Sequence, residues 1–210
     1  MFWYYVWETE RFMGNPNPPY FVQFVADPAS SAQIDHSKAA PGGDAHRAGH
    51  TSISLRGRGA LTWQPETGRP RSDGMTPFFF RSVNIYFRLT DYIVQIASAY
   101  AEGSCAYNAT LRHEIDEHVL SPIRILNGFR DPLIQALNAV RLPTETTQRW
   151  LRLDQAKAAE DEYINHVGRV VQDFRARVSA ALKQAQAASD SAARYQSVYR
   201  QCPAEEWKQR

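Results

Sequence analysis

The chain has 210 residues, 43% of them hydrophobic and 22% charged, a composition that suits a folded globular protein with a sizeable core. Twenty-four basic residues against 22 acidic ones leave a formal net charge of +2, so no general electrostatic pull toward nucleic acid or an anionic membrane is expected. No apolar run approaches the roughly 20 residues of a membrane-spanning helix.

Met1 to Trp7 is aromatic but short, and Glu8 and Glu10 follow it. It has no basic stretch and no small-residue cleavage site, so it reads as a strand and not as a signal peptide. An exported form of the protein would then need a leader already removed, or another route. Tyr20 to Val25 reads as a short strand. Residues 26–50 are rich in Ala, Ser, Pro, Gly and Asp and read as a long loop. His46 and His50 lie in it at a spacing of four, but Gly and Ala around them argue against a helix. Thr51 to Trp63 reads as a strand or strand pair, and Gln64 to Thr76 as a polar loop.

From Phe78 to Leu89 the alternation of Val83, Ile85, Phe87 and Leu89 with polar or half-polar neighbours predicts a strand with one buried face. Thr90-Asp91 reads as a tight turn and Tyr92 to Tyr100 as the returning strand of a hairpin. Beyond residue 105 the composition shifts to Ala, Gln, Arg and Glu, the signature of helices.

Asn108 reads as the N-cap of a helix from Ala109, with Leu111, Ile115, Val119 and Leu120 as its apolar stripe. The same Asn108 opens an Asn-x-Thr sequon, for which the cap is the simpler explanation. Ser121-Pro122 is expected to interrupt the helix and start another that ends near Asn127-Gly128. Asp131 to Val140 reads as a third helix. Pro143 opens a helical region reaching about Tyr199. In it Ile164, Val167, Val171, Phe174, Val178, Ala181 and Ala185 form a heptad-like seam that suits a long helix or a helical hairpin.

The expected fold is therefore α+β, a single domain over residues 1–210. A small antiparallel sheet in residues 1–104 packs on a helical part in residues 105–210. Cys105 and Cys202 fit one disulfide in an oxidising compartment, or two unrelated buried thiols; a bridge would constrain the unfolded chain by about 4–5 kcal/mol. Cys105 near a His-bearing helix is also a conceivable thiol nucleophile.

The densest chemistry lies in His113-Glu114-Ile115-Asp116-Glu117-His118, with two imidazoles and three carboxylates in six residues. On an ideal α-helix Glu114 and His118 share one face and His113 and Glu117 share another, at a spacing of four, so either pair is a two-ligand set for a divalent metal. The first of these faces flanks the apolar stripe and should be partly buried. The second lies nearly opposite it. A further ligand must come from elsewhere, and Glu162 and His166 repeat the spacing on the long helix.

This run resembles the active-site helix of zinc metallopeptidases, whose signature is His-Glu-x-x-His. More broadly, Ile93 to Tyr100, Gly103-Ser104-Cys105, His113-Glu114 and Glu117-His118-Val119 are similar in order to exported bacterial proteins predicted to be zinc-dependent proteases. The resemblance covers about 30 residues. It implies Zn2+ held by His113, His118 and a third side chain such as His166. It also implies Glu114 as the general base, a peptide or protein substrate, and an exported, periplasmic or secreted location. The chain departs from the signature in one respect. Its histidines are five residues apart, about 140° around an ideal α-helix instead of about 40°. A π-bulge would absorb the extra residue.

Two other readings stand beside this one. One is an interaction module without catalysis, binding a partner or a second copy through a helical hairpin from Thr144 to Tyr199. The other is a metal-binding protein without catalysis. Arg56, Arg58, Arg69 and Arg71 with Trp63 make only a mild basic patch, and nucleic acid is not an expected partner.

Overall fold

The computed structural model describes residues 20–26, 33–35, 49–62, 71–80 and 82–207. The expected strand at Met1 to Trp7, most of the loop over residues 26–50 and most of the polar loop after Trp63 lie outside these. So do His36 and His46, and the side chain of His50 is likewise not described.

The fold is α+β. Its main sheet is built around β5 (Ser82–Ile96), a single strand of 15 residues. β3 (Gly49–Thr62) runs antiparallel to it along nearly its whole length, from Gly49 opposite Ile96 to Thr62 opposite Ser82. Along the other edge of β5, β1 (Tyr20–Ala26) and then β2 (Gln33–Asp35) pair with it in parallel. A second, two-stranded antiparallel sheet joins β4 (Thr76–Phe78) to β6 (Arg149–Leu151).

The hairpin expected at Thr90-Asp91 is absent, because the chain does not reverse there. Ser52 of β3 faces Ile93 of β5 while Ser54 faces Thr90, so β5 advances three residues where β3 advances two. This is a β-bulge, and its extra residue inverts the side-chain parity of the strand. Val83, Ile85, Phe87 and Leu89 are buried before it, and Tyr92, Val94 and Ile96 after it. One sheet face thus stays apolar across the slip.

The helices begin at α1 (Cys105–His113), four residues earlier than Asn108 suggested. Gly103, with φ +82°, turns the chain in the left-handed region that favours glycine. Ser104 then caps the helix by accepting a hydrogen bond from the Tyr107 amide. The Glu206 carboxylate accepts from the Ala106 amide, a second acceptor at the same helix N-terminus and an anionic one. Asn108 lies inside the helix, its side-chain amide donating to the Gly103 carbonyl.

A π-helical stretch, Glu114–Leu120, follows α1 directly and passes into α2 (Ser121–Gly128). Ser121-Pro122 does not break the path, since Leu120 and Ser121 both keep helical dihedrals. The proline lies in the first turn of α2, where its missing N–H is tolerated. α3 (Arg130–Asn138) and a short 3-10 turn (Glu145–Thr147) lead to β6.

The last helical region is not one hairpin. It consists of α4 (Leu153–Ser189), 37 residues and about 55 Å long, and a short α5 (Ala192–Tyr199). The heptad-like seam packs on the sheet and on the helices α2 and α3, and not on one hairpin partner. The Phe174 ring lies 4.6 Å from that of Phe87 and 6.0 Å from that of Phe129. Tyr163 stacks on Phe78 and meets Phe80 edge-on. Val167 and Val178 are buried, whereas Ile164 is exposed.

Cys105 and Cys202 form a disulfide, with their Cα atoms 5.7 Å apart. It pins the end of the chain to the start of α1, where Trp207 packs edge-on against Tyr100 and Tyr199. With its sulfur in the bridge, Cys105 is not a free thiol nucleophile. Among the described residues, no helix is long and apolar enough to cross a membrane.

Candidate metal centre

The π-helical stretch decides where the two histidines point. Its backbone bonds run from residue i+5 to residue i, as when the Ser121 amide donates to the Asp116 carbonyl, so residues five apart come to lie over one another. His113 and His118 therefore share a face. Their ring centroids are 5.2 Å apart and the rings meet edge to face. Both side chains are buried, each 7% exposed. His113 still lies beside Glu117, as the spacing of four suggests; the change of helical period brings it to His118 and Glu114 as well, so the two expected faces are not separate.

Glu114 is 1% exposed. Its Oε2 accepts a hydrogen bond of 2.7 Å from Thr51 Oγ1 on β3. The strand passes so close that a Cβ added at Gly49 would lie 2.7 Å from Glu114 Oε1 and 2.9 Å from its Cγ. His113, Glu114 and His118 each present a donor atom, and the three atoms lie within 4.8 Å of one another. This buried group could hold a metal ion.

The chemistry of the donors agrees with that. His113 Nε2 is buried and has no hydrogen-bond partner among the described residues, an uncommon state for an imidazole nitrogen and one that a bound cation would relieve. Burial, with the neighbouring His118 adding to it, pushes the pKa of His113 below the ordinary imidazole value. It is thereby kept neutral at neutral pH, as a metal ligand must be.

The end of α4 and the start of α5 close the site from the other side. His118 Nε2 lies 3.5 Å from Asp190 Oδ1, and the Tyr195 hydroxyl donates to the same oxygen at 3.3 Å. The Tyr195 ring packs 5.3 Å from that of His113. A polar cavity of about 70 Å3 is lined by Gly49 and Thr51, Glu114 and His118, and Asp190 and Tyr195.

Glu117 lies beside His113 but is not one of the three converging donors. Its carboxylate is bound by Arg194 and Ser189. The Arg194 hydrogen bond, reinforced by the charge of Arg194 and the Ser189 hydroxyl, holds its pKa below the usual glutamate value despite partial burial.

His166, the third ligand expected from the sequence, is not brought to the centre, and neither is Glu162. Both are exposed on α4. Ser189 at the far end of that helix contacts Glu117 beside the site, and 23 residues of helix separate it from His166, about 35 Å. The facing of Glu162/His166 with Glu114/His118 is thus excluded by the direction of the helix. Thr51, Gly49, Asp190 and Tyr195 were not read as site residues. The local sign in the sequence is Asp190-Ser191, a helix-stop dipeptide inside the region that suits a long helix or a helical hairpin.

No family model matches the chain, and no curated protein or solved structure matches it.

Proposed function

We propose that this protein is a metal-dependent hydrolase, with Zn2+ as its ion and a peptide or protein as its substrate. The observation that carries the reading is the convergence of His113 and His118, through the π-helical stretch, beside the buried Glu114. Two imidazoles on one face are nitrogen donors that suit zinc, with a carboxylate beside them.

Held there, the ion would acidify a water and polarise a carbonyl. The protein's own part is the handling of the proton. Glu114 is the buried carboxylate beside the histidines, and we assign it as the general base that takes a proton from the attacking water. Thr51 donates to its Oε2 and so fixes the plane in which the carboxylate accepts. His113 and His118 serve as neutral nitrogen ligands. The Cys105–Cys202 bridge is compatible with an exported, periplasmic or secreted protein.

A second reading, metal binding without catalysis, draws on the size of the cavity. About 70 Å3 accommodates water but not a peptide, which needs a cleft several times larger.

Metal analysis of the purified chain and assay of Glu114→Gln test both. One equivalent of zinc, with hydrolysis of an unfolded protein substrate that Glu114→Gln abolishes while keeping the metal, is the expected result. Metal without hydrolysis in the parent chain leaves the second reading. Loss of metal in Glu114→Gln makes Glu114 a ligand and overturns its role as base. No stoichiometric metal, and stability unchanged by chelator, overturns both readings.

A further inference from the structure

The helical run supplies two nitrogen donors and a base, and it leaves the third protein ligand unassigned. The turn between α4 and α5 points to it. Asp190 Oδ1 is 3.5 Å from His118 Nε2. That is long for an N–H to carboxylate hydrogen bond, which prefers about 2.7–3.2 Å. Two donors bound at about 2.0–2.2 Å to one tetrahedral ion, however, lie roughly 3.3–3.6 Å apart. The observed ion-pair separation falls within that range.

We propose that Asp190 is the third protein ligand of the centre, completing a set with His113 and His118; the inference rests on the metal-dependent reading above. Three observations join in it. Asp190 lines the same small cavity as Glu114 and His118. The Tyr195 hydroxyl donates to the very oxygen that faces His118, which is how ligating carboxylates are commonly held. His113 Nε2, buried and without a hydrogen-bond partner among the described residues, is the remaining nitrogen, on a ring that packs against that of Tyr195.

The assignment also settles a conflict of roles. With two His and one Asp as ligands, a tetrahedral ion keeps one open position for water, and Glu114 remains available as base. A set made of His113, Glu114 and His118 would consume the base as a ligand.

The test uses the full chain with cobalt(II) in place of zinc. In Asp190→Cys, a thiolate bonded to the ion gives an intense thiolate-to-cobalt charge-transfer absorption that the parent protein lacks; this is the expected result. Stoichiometric cobalt in that variant without the absorption overturns the proposal. Asp190→Ala, checked for folding by circular dichroism, gives an independent measure. Its zinc affinity, by competition with a chromophoric chelator, should fall by about a hundredfold or more, beyond what loss of a merely orienting partner causes. Affinity within about threefold of the parent overturns the proposal as well, while leaving the metal centre itself intact. A parent chain that binds neither metal overturns the metal reading from which the proposal starts, and that result is distinct from either of the others.

Discussion

The imidazole rings of His113 and His118 meet edge to face with centroids 5.2 Å apart, each almost fully withdrawn from solvent. An α-helix would point them in directions about 140° apart. The i+5 to i bonding of Glu114–Leu120 removes that difference, at the cost of a less common backbone, and such stretches concentrate at functional sites.

Deleting the exposed Asp116 leaves four residues from the first histidine to the second, a spacing that an ordinary α-helix brings onto one face. The shortened protein is expected to fold, to lose the π-helical turn and to bind one equivalent of zinc. Equilibrium metal titration with far-ultraviolet circular dichroism checks it. A folded deletion variant unable to bind metal would show that the centre depends on the π turn itself and not only on a shared face.

Gly49 has no room for a methyl group. A Cβ there would press on Glu114 Oε1 and Cγ and on Thr110 Cγ2, all within 2.9 Å. Gly49→Ala should destabilise the protein by roughly 1–3 kcal/mol, as overpacking of a tight interior does. It should also weaken metal binding by displacing Glu114. Urea denaturation in chelator isolates the first effect, and zinc competition the second.

The bridge between Cys105 and Cys202 closes a loop with a sequence separation of 97. In the chain-entropy model its loss costs about 4–5 kcal/mol, with native strain and residual structure in the unfolded chain reducing that figure. A Cys105→Ser/Cys202→Ser variant should melt well below the parent. It should also bind metal less tightly, because the bridge anchors the segment that follows Tyr195 and α5. Scanning calorimetry with and without zinc measures both.

Acid should act on the metal-free protein through His113, whose pKa in the folded state is lowered chiefly by burial and next by His118. The unfolded chain, with imidazole near its ordinary value of about 6.5, binds the proton more readily. Stability in chelator is therefore expected to fall as pH drops below about 6.5, down to the depressed folded value. Glu117, held low by Arg194, adds a further loss at more acid pH, below the usual glutamate range. Both act in the same direction. Denaturant midpoints from pH 8 to pH 4 check it, and a stability rising toward pH 5 would contradict the sign.

The alternation at Val83 to Leu89 announced a strand with one buried face, and the run at His113 announced the site, because both are local patterns with a fixed period. The bulge at Thr90-Asp91 was read as a turn, since a slip in a two-residue period looks the same whether the chain reverses or continues. The convergence of the histidines depended on a helical period that the sequence permits but does not encode on its own. For Asp190 the sequence offers a helix stop and no sign of the histidines it meets. It reaches the centre because α4 packs along the sheet, and nothing near residue 190 records that packing.

α4 works as a ruler. Phe174 is fixed in the core against Phe87 and Phe129, and sixteen residues further on, about 24 Å, Asp190 caps the end of the helix beside His118. One residue added to that interval would swing the carboxylate by about 100° and carry it 1.5 Å along the axis. The length of a surface-bordering helix thus sets which side chain meets His118, and a change in how Phe174 packs would be felt at the far end as a change in where Asp190 stands.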